Sequence, residues 1–154
     1  AKAWPAAHGA ELYRLLEAQG LAPVLVTGPG DEELEAELRA AAPEARFAPP
    51  TTLPELADLV GRCRVFVGTD NGARHLAALL GVPTVTVFGP TDPRGWNPDD
   101  PRHVALSRQL PCARCDLTHC PVPGHPCLDE LPASAVAEAV ALLLARTAPA
   151  KEKP

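Results

Sequence analysis

Short apolar runs alternate with stretches whose apolar residues recur at helical spacing, and that alternation organises most of the chain. Leu12, Leu15 and Leu16 form a helical stripe that starts after Pro5, tolerated in a first helical turn, and stops at Gly20. Pro23-Val-Leu-Val-Thr27 then reads as a buried strand ending at Gly28-Pro29-Gly30. Asp31 is placed to cap a helix through Ala41, acidic in its first turn, with Leu34 and Leu38 on one face. A short strand at Arg46–Ala48 precedes the Pro49-Pro50 break. Leu53 to Val60 reads as a helix with Leu53, Leu56, Leu59 and Val60 turned inward.

The second half repeats the rhythm. Val65-Phe66-Val67 is a strand that ends at Thr69-Asp70, and Asn71 to Leu80 is a helix closed by Gly81. Val82 to Phe88 is another strand, with Pro83 near its start, where a missing N–H matters least. A loop rich in Pro and Gly spans Gly89 to Pro101, His103 to Leu106 is a further strand, and Pro132 to Arg146 is a closing helix. This order predicts an α/β fold, a Rossmann-like parallel sheet with helices on both faces. One domain is expected over residues 1–147, with a Cys-rich loop at 110–128 and a disordered tail at 148–154.

Composition narrows the function. A net charge of −5 excludes the basic face that non-specific nucleic-acid binding needs. No apolar stretch reaches the roughly 18–20 residues of a membrane span, and no signal-peptide pattern is present, so a cytoplasmic location is expected. The sequence contains no Met, so Ala1 is not expected to be a native start and the chain reads as a fragment.

Ligands of open α/β sheets bind beyond the carboxyl ends of the strands, and three such ends here carry small, turn-forming residues. The strongest is Val67-Gly-Thr-Asp-Asn-Gly-Ala-Arg-His75, in which a strand turns tightly into a helix. Free N–H groups at that helix start suit an anion, and Gly72 lets a phosphate come close. Asp70 opposes a diphosphate while Arg74 and His75 attract it; the plainer reading makes Asp70 an N-cap and His75 a surface residue. Lys2 is a compact charge suited to phosphate, and Trp4 is placed to pack where the first helix begins.

Cys112, Cys115, Cys120 and Cys127, with His119 and His125 nearby, share one loop. Metal, disulfides and free thiols all fit; the loop's prolines and a reducing compartment favour free thiols, and no metal is expected. Cys63 reads as a small core hydrophobe.

Three segments in order resemble the lipopolysaccharide heptosyltransferases, inverting enzymes of glycosyltransferase family 9. Lys2-Ala-Trp-Pro5 is similar to that family's Lys-x-Trp-Pro opening. Asp70-Asn-Gly-Ala-Arg-His75, continuing through Pro83-Thr84, resembles its Asp-x-Gly-x-x-His-Leu-Ala-Ala block, and Phe88-Gly-Pro-Thr-Asp-Pro93 its Phe-Gly-Pro-Thr-Asp-Pro loop. The resemblance implies the C-terminal, donor-binding half of a two-domain GT-B enzyme that transfers heptose from ADP-heptose to a lipid-linked lipopolysaccharide core acceptor. It implies that Lys2 contacts the donor diphosphate and that Asp70, Asn71, Gly72, Ala73 and His75 line the diphosphate and sugar pocket. It implies no cofactor or obligatory metal. The general base and acceptor groove would lie in an N-terminal domain, the fragment alone would be inactive, and the full-length enzyme could sit peripherally at the inner membrane. The alternatives are a metal-organised nucleotide-binding module and an epimerase-like domain that binds another nucleotide sugar.

Overall fold

The computed structural model describes residues 2–49 and 52–147, so the tail expected at 148–154 and Pro50 of the double-proline break lie outside the described residues. Three parallel strands form the sheet: β1 (Phe66–Thr69), β2 (Thr84–Phe88) and β3 (His103–Ser107), with β2 between the other two. Gly68 pairs with Thr86, and Thr86 with Ala105. Every residue of β2 is buried, including Thr84 and Thr86 between its apolar positions.

Period-two alternation in the strands sets the two faces. Val85 and Val87 join Leu12 and Leu16 of α1 (Ala6–Ala18) and Val136, Val140 and Leu143 of α7 (Ala133–Thr147) in the main core. Phe66 instead packs with Val60 of α3 (Leu53–Gly61) and Ala77 of α4 (Gly72–Leu79) in a smaller cluster. Between these helices come α2 (Glu32–Ala41), which packs on α1, and the short α5 (Pro93–Trp96) and α6 (Pro126–Asp129). Trp4 sits at the start of α1, donates its indole N–H to the Leu131 carbonyl (3.2 Å) and stacks on His8. At Gly9 a Cβ would stand 2.9 Å from Leu38, so the α1–α2 contact depends on that missing side chain.

Several expectations need correction. The strand expected at Pro23–Thr27 shrinks to a single parallel bridge between Leu25 and Phe47, separate from the sheet, and Val24 and Val26 are exposed. Leu53 is exposed because it opens its helix, where Thr52 and Glu55 form a capping box. Asp31 precedes α2 without capping it; its carboxylate accepts from the Gly28 N–H (2.9 Å) instead. Cys63 is exposed, with its Sγ against the Leu59 carbonyl. The loop after β2 contains α5, and the Cys-rich loop ends in α6.

His103, the first residue of β3, is buried, and its Nδ1 lies 3.0 Å from the Thr84 hydroxyl. Burial holds the imidazole below its ordinary value of 6.5, against the pull of Asp100. The folded protein therefore resists a proton that the unfolded chain accepts, so stability is expected to fall as pH drops below about 6.5. Thermal melts between pH 8 and 5 should show this loss, and His103→Gln should flatten that part of the profile.

Candidate functional site

The carboxyl ends of β1 and β2 bring the site together. Gly68 keeps β1 close to its surroundings, since a Cβ there would stand 2.9 Å from the Phe66 ring. After Thr69 the chain turns through Asp70 and Asn71 into α4. Asn71, not Asp70, is the N-cap: its Oδ1 accepts from the Arg74 N–H at 3.1 Å. The N–H groups of Gly72 and Ala73, the first two of the helix, have no intrahelical acceptor. A Cβ at Gly72 would meet nothing within 4 Å, so the helix start faces open space. Gly72 is not among the residues with positive φ, so its role is this clearance rather than an unusual backbone.

Asp70 is turned inward and is 4% exposed. Arg74, one helical turn on and fully buried, donates through Nη2 to Asp70 Oδ1 at 2.8 Å. Lys2 donates to the other oxygen, Oδ2, at 3.0 Å. Burial pushes the Asp70 carboxyl up, but the bonds from Arg74 and Lys2 outweigh it, and the group lies below its ordinary value. The repulsion between Asp70 and a diphosphate is therefore neutralised from within, by a cation that the helix itself carries.

The same Nη2 of Arg74 donates to the Trp96 carbonyl (2.9 Å) and meets His75 Nε2 at 3.1 Å. His75 Nε2 also lies 3.5 Å from Asp70 Oδ1, so the imidazole borders both members of the pair. The His75 side chain is 41% exposed, with the Trp96 ring edge-on to it at 6.0 Å. Lys2, Asp70, Asn71, Gly72, Ala73 and His75 thus surround the start of α4. Sequence reasoning treated Arg74 only as a surface attraction and missed Trp96. The four-residue spacing of Asp70 and Arg74, on the edge of a helix start, was the available signal for the first.

Asp92 caps α5 and is chelated by Arg94, whose hydrogen bonds hold its carboxyl down at about 2. The Thr27–Gly30 turn is closed by carboxylates: Asp31 accepts from Gly28 and Glu32 from Gly30 (2.9 and 3.1 Å). An anion there would meet negative charge.

Cys112, Cys115, Cys120 and Cys127 line one small cavity with Pro90, Leu117 and His125. All five cysteines are free, and among the described residues no three His, Cys, Asp or Glu side chains are grouped to hold a metal. Burial pushes the Cys127 thiol up, and the neighbouring Cys120, Cys112 and Cys115 add to it.

A parallel sheet with helices on both faces defines an α/β domain of the Rossmann-like class. The profile of glycosyltransferase family 9 (heptosyltransferase) matches residues 1–125. The chain belongs to that family. It is 37% identical over 100 residues to lipooligosaccharide heptosyltransferase 2 of Haemophilus influenzae, covering 61% of this chain and 29% of that protein. It is 35% identical over 115 residues to lipopolysaccharide heptosyltransferase 1 of Pseudomonas aeruginosa, covering 74% and 32%. The solved Escherichia coli ADP-heptose LPS heptosyltransferase II superposes with a TM-score of 0.78 at 27% identity, over 95% of this chain and 43% of that one. E. coli heptosyltransferase WaaC with ADP superposes at 0.70 and 29% identity, over 92% and 40%. The chain therefore spans about a third of the curated relatives it matches. Among the described residues no helix is long and apolar enough to cross a membrane.

Two outcomes are expected. Asp70→Ala strands the buried Arg74 guanidinium and should cost about 3 kcal/mol or more in urea denaturation, in the range for breaking a buried pair. Removing Lys2, whose side chain is half exposed, should cost far less. For the cysteines, elemental analysis of purified protein should find no stoichiometric zinc or iron. Timed thiol labelling should modify Cys112 and Cys115 first and Cys127 last.

Proposed function

We propose that the chain is the donor-binding domain of a two-domain heptosyltransferase and that it holds the diphosphate of a nucleotide sugar such as ADP-heptose. The observation that carries this reading is the start of α4. Space is open beside Gly72, the N–H groups of Gly72 and Ala73 have no intrahelical acceptor, Lys2 and His75 flank them, and Arg74 cancels the charge of Asp70 from below. The ammonium of Lys2 has three donors, so it can keep Asp70 and still reach a phosphate oxygen. Preorganised donors of this kind stabilise a leaving diphosphate without a metal ion. That E. coli WaaC is solved with ADP supports the choice of nucleotide.

In this reading residues 1–147 are one domain, and Lys2, Asp70, Asn71, Gly72, Ala73 and His75 form the donor site. The general base, the acceptor groove and the lipopolysaccharide acceptor belong to the rest of the full-length enzyme. That enzyme would work in the cytoplasm, peripherally at the inner membrane. The 154-residue chain should then bind ADP and transfer nothing.

Calorimetry tests the site. Lys2→Ala is expected to weaken ADP binding by about 1.5–3 kcal/mol, the range for a hydrogen bond to a charged group, and adenosine binding hardly at all. Gly72→Val should do as much by filling the open space that phosphate needs. If neither change alters ADP affinity in folded protein, the diphosphate does not sit at α4.

A further inference from the structure

Trp96 is the large aromatic that the fold leaves uncovered beside this site. It is 55% exposed, yet its backbone is tightly held. Asn97, the next residue, donates from its backbone to Pro93 (2.8 Å) and from its side chain to the His103 carbonyl (2.8 Å). The Trp96 carbonyl itself is bound by Arg74. Arg74 is a costly residue to use for this. Its guanidinium is fully buried, its Nε has no partner, and an apolar side chain of similar volume is often as stabilising as a buried ion pair. What the arrangement does supply is position: one buried group fixes Asp70, the rim of His75 and the backbone of Trp96 together.

We propose that Trp96 is the sugar-specificity residue of the donor site, an aromatic platform against which the transferred sugar packs the C–H face of its ring. The proposal rests on the donor-domain reading above. The diphosphate sits at the start of α4, and the base and ribose follow the crevice at the topological switch point, where the helices change faces of the sheet. That crevice lies on the β1 side, since α1 packs on one face of the sheet and α3 and α4 on the other. Trp96 follows β2, one strand in from β1, and its ring stands edge-on to His75 at 6.0 Å, which leaves it for the other substituent of the diphosphate. An exposed ring on a fixed backbone needs only its side-chain torsions ordered when a ligand covers it.

The test compares ADP with ADP-heptose on the 154-residue chain. Wild type should bind ADP-heptose more tightly than ADP. Trp96→Ala should reduce ADP-heptose affinity by roughly 3- to 10-fold, the size of an aromatic packing contact, and leave ADP affinity unchanged. Trp96→Phe, which keeps a flat ring, should restore most of the difference. In a Trp4→Phe background, where Trp96 is the sole fluorophore of its kind, ADP-heptose should change the emission and ADP should not. Equal loss for both ligands, or quenching by ADP alone, overturns the sugar assignment while the donor site stands. Failure of wild type to bind ADP at all overturns the donor-domain reading, and this proposal with it.

Discussion

The buried Asp70–Arg74 pair is the constraint around which the site is arranged. A carboxylate at the mouth of an anion site is an electrostatic liability, and a guanidinium beneath a helix is costly to desolvate. Placed 2.8 Å apart, each offsets part of the other's penalty. The helix start then presents only its own N–H groups and two outward donors, Lys2 and His75. The pair also joins segments distant in sequence: the start of the chain through Lys2, and the loop after β2 through the Trp96 carbonyl.

Much of this was legible in the sequence. The strand-turn-helix at 67–75 predicted both the element boundaries and the residues that gather at the helix start. It did so because a Gly-rich turn between an apolar strand and a helix leaves the backbone few alternatives. The tertiary partners were not legible. That Asn71 takes the cap and frees Asp70 for Arg74 depends on which of two adjacent side chains points inward, and propensity does not separate them. The strand read at Pro23–Thr27 failed for a similar reason. Val24, Leu25 and Val26 have strand composition, but pairing requires a neighbouring edge, and among the described residues only Phe47 supplies one.

Chemistry and architecture divide the chain unequally. The residues proposed to bind donor lie at Lys2 and between Asp70 and His75, at the turn from β1 into α4. The Cys-rich loop and the chelated Asp92 lie to one side, where local pairs satisfy their polar groups. The match to glycosyltransferase family 9 covers residues 1–125 and so reaches into both groups.

The small Leu25–Phe47 pair has its own consequence for how the molecule opens. Two backbone hydrogen bonds, Leu25 N–H to Arg46 and Ala48 N–H to Leu25, hold it, and both neighbours of Leu25 face solvent. The sheet from β1 to β3 is a continuous ladder beneath α7. Amide hydrogens should therefore exchange in two tiers. The corner spanning residues 21–49 samples open states at little cost, while protons of β2 leave only when the whole domain unfolds. The proposed donor site stands on the slow tier, so the corner can breathe without disturbing it.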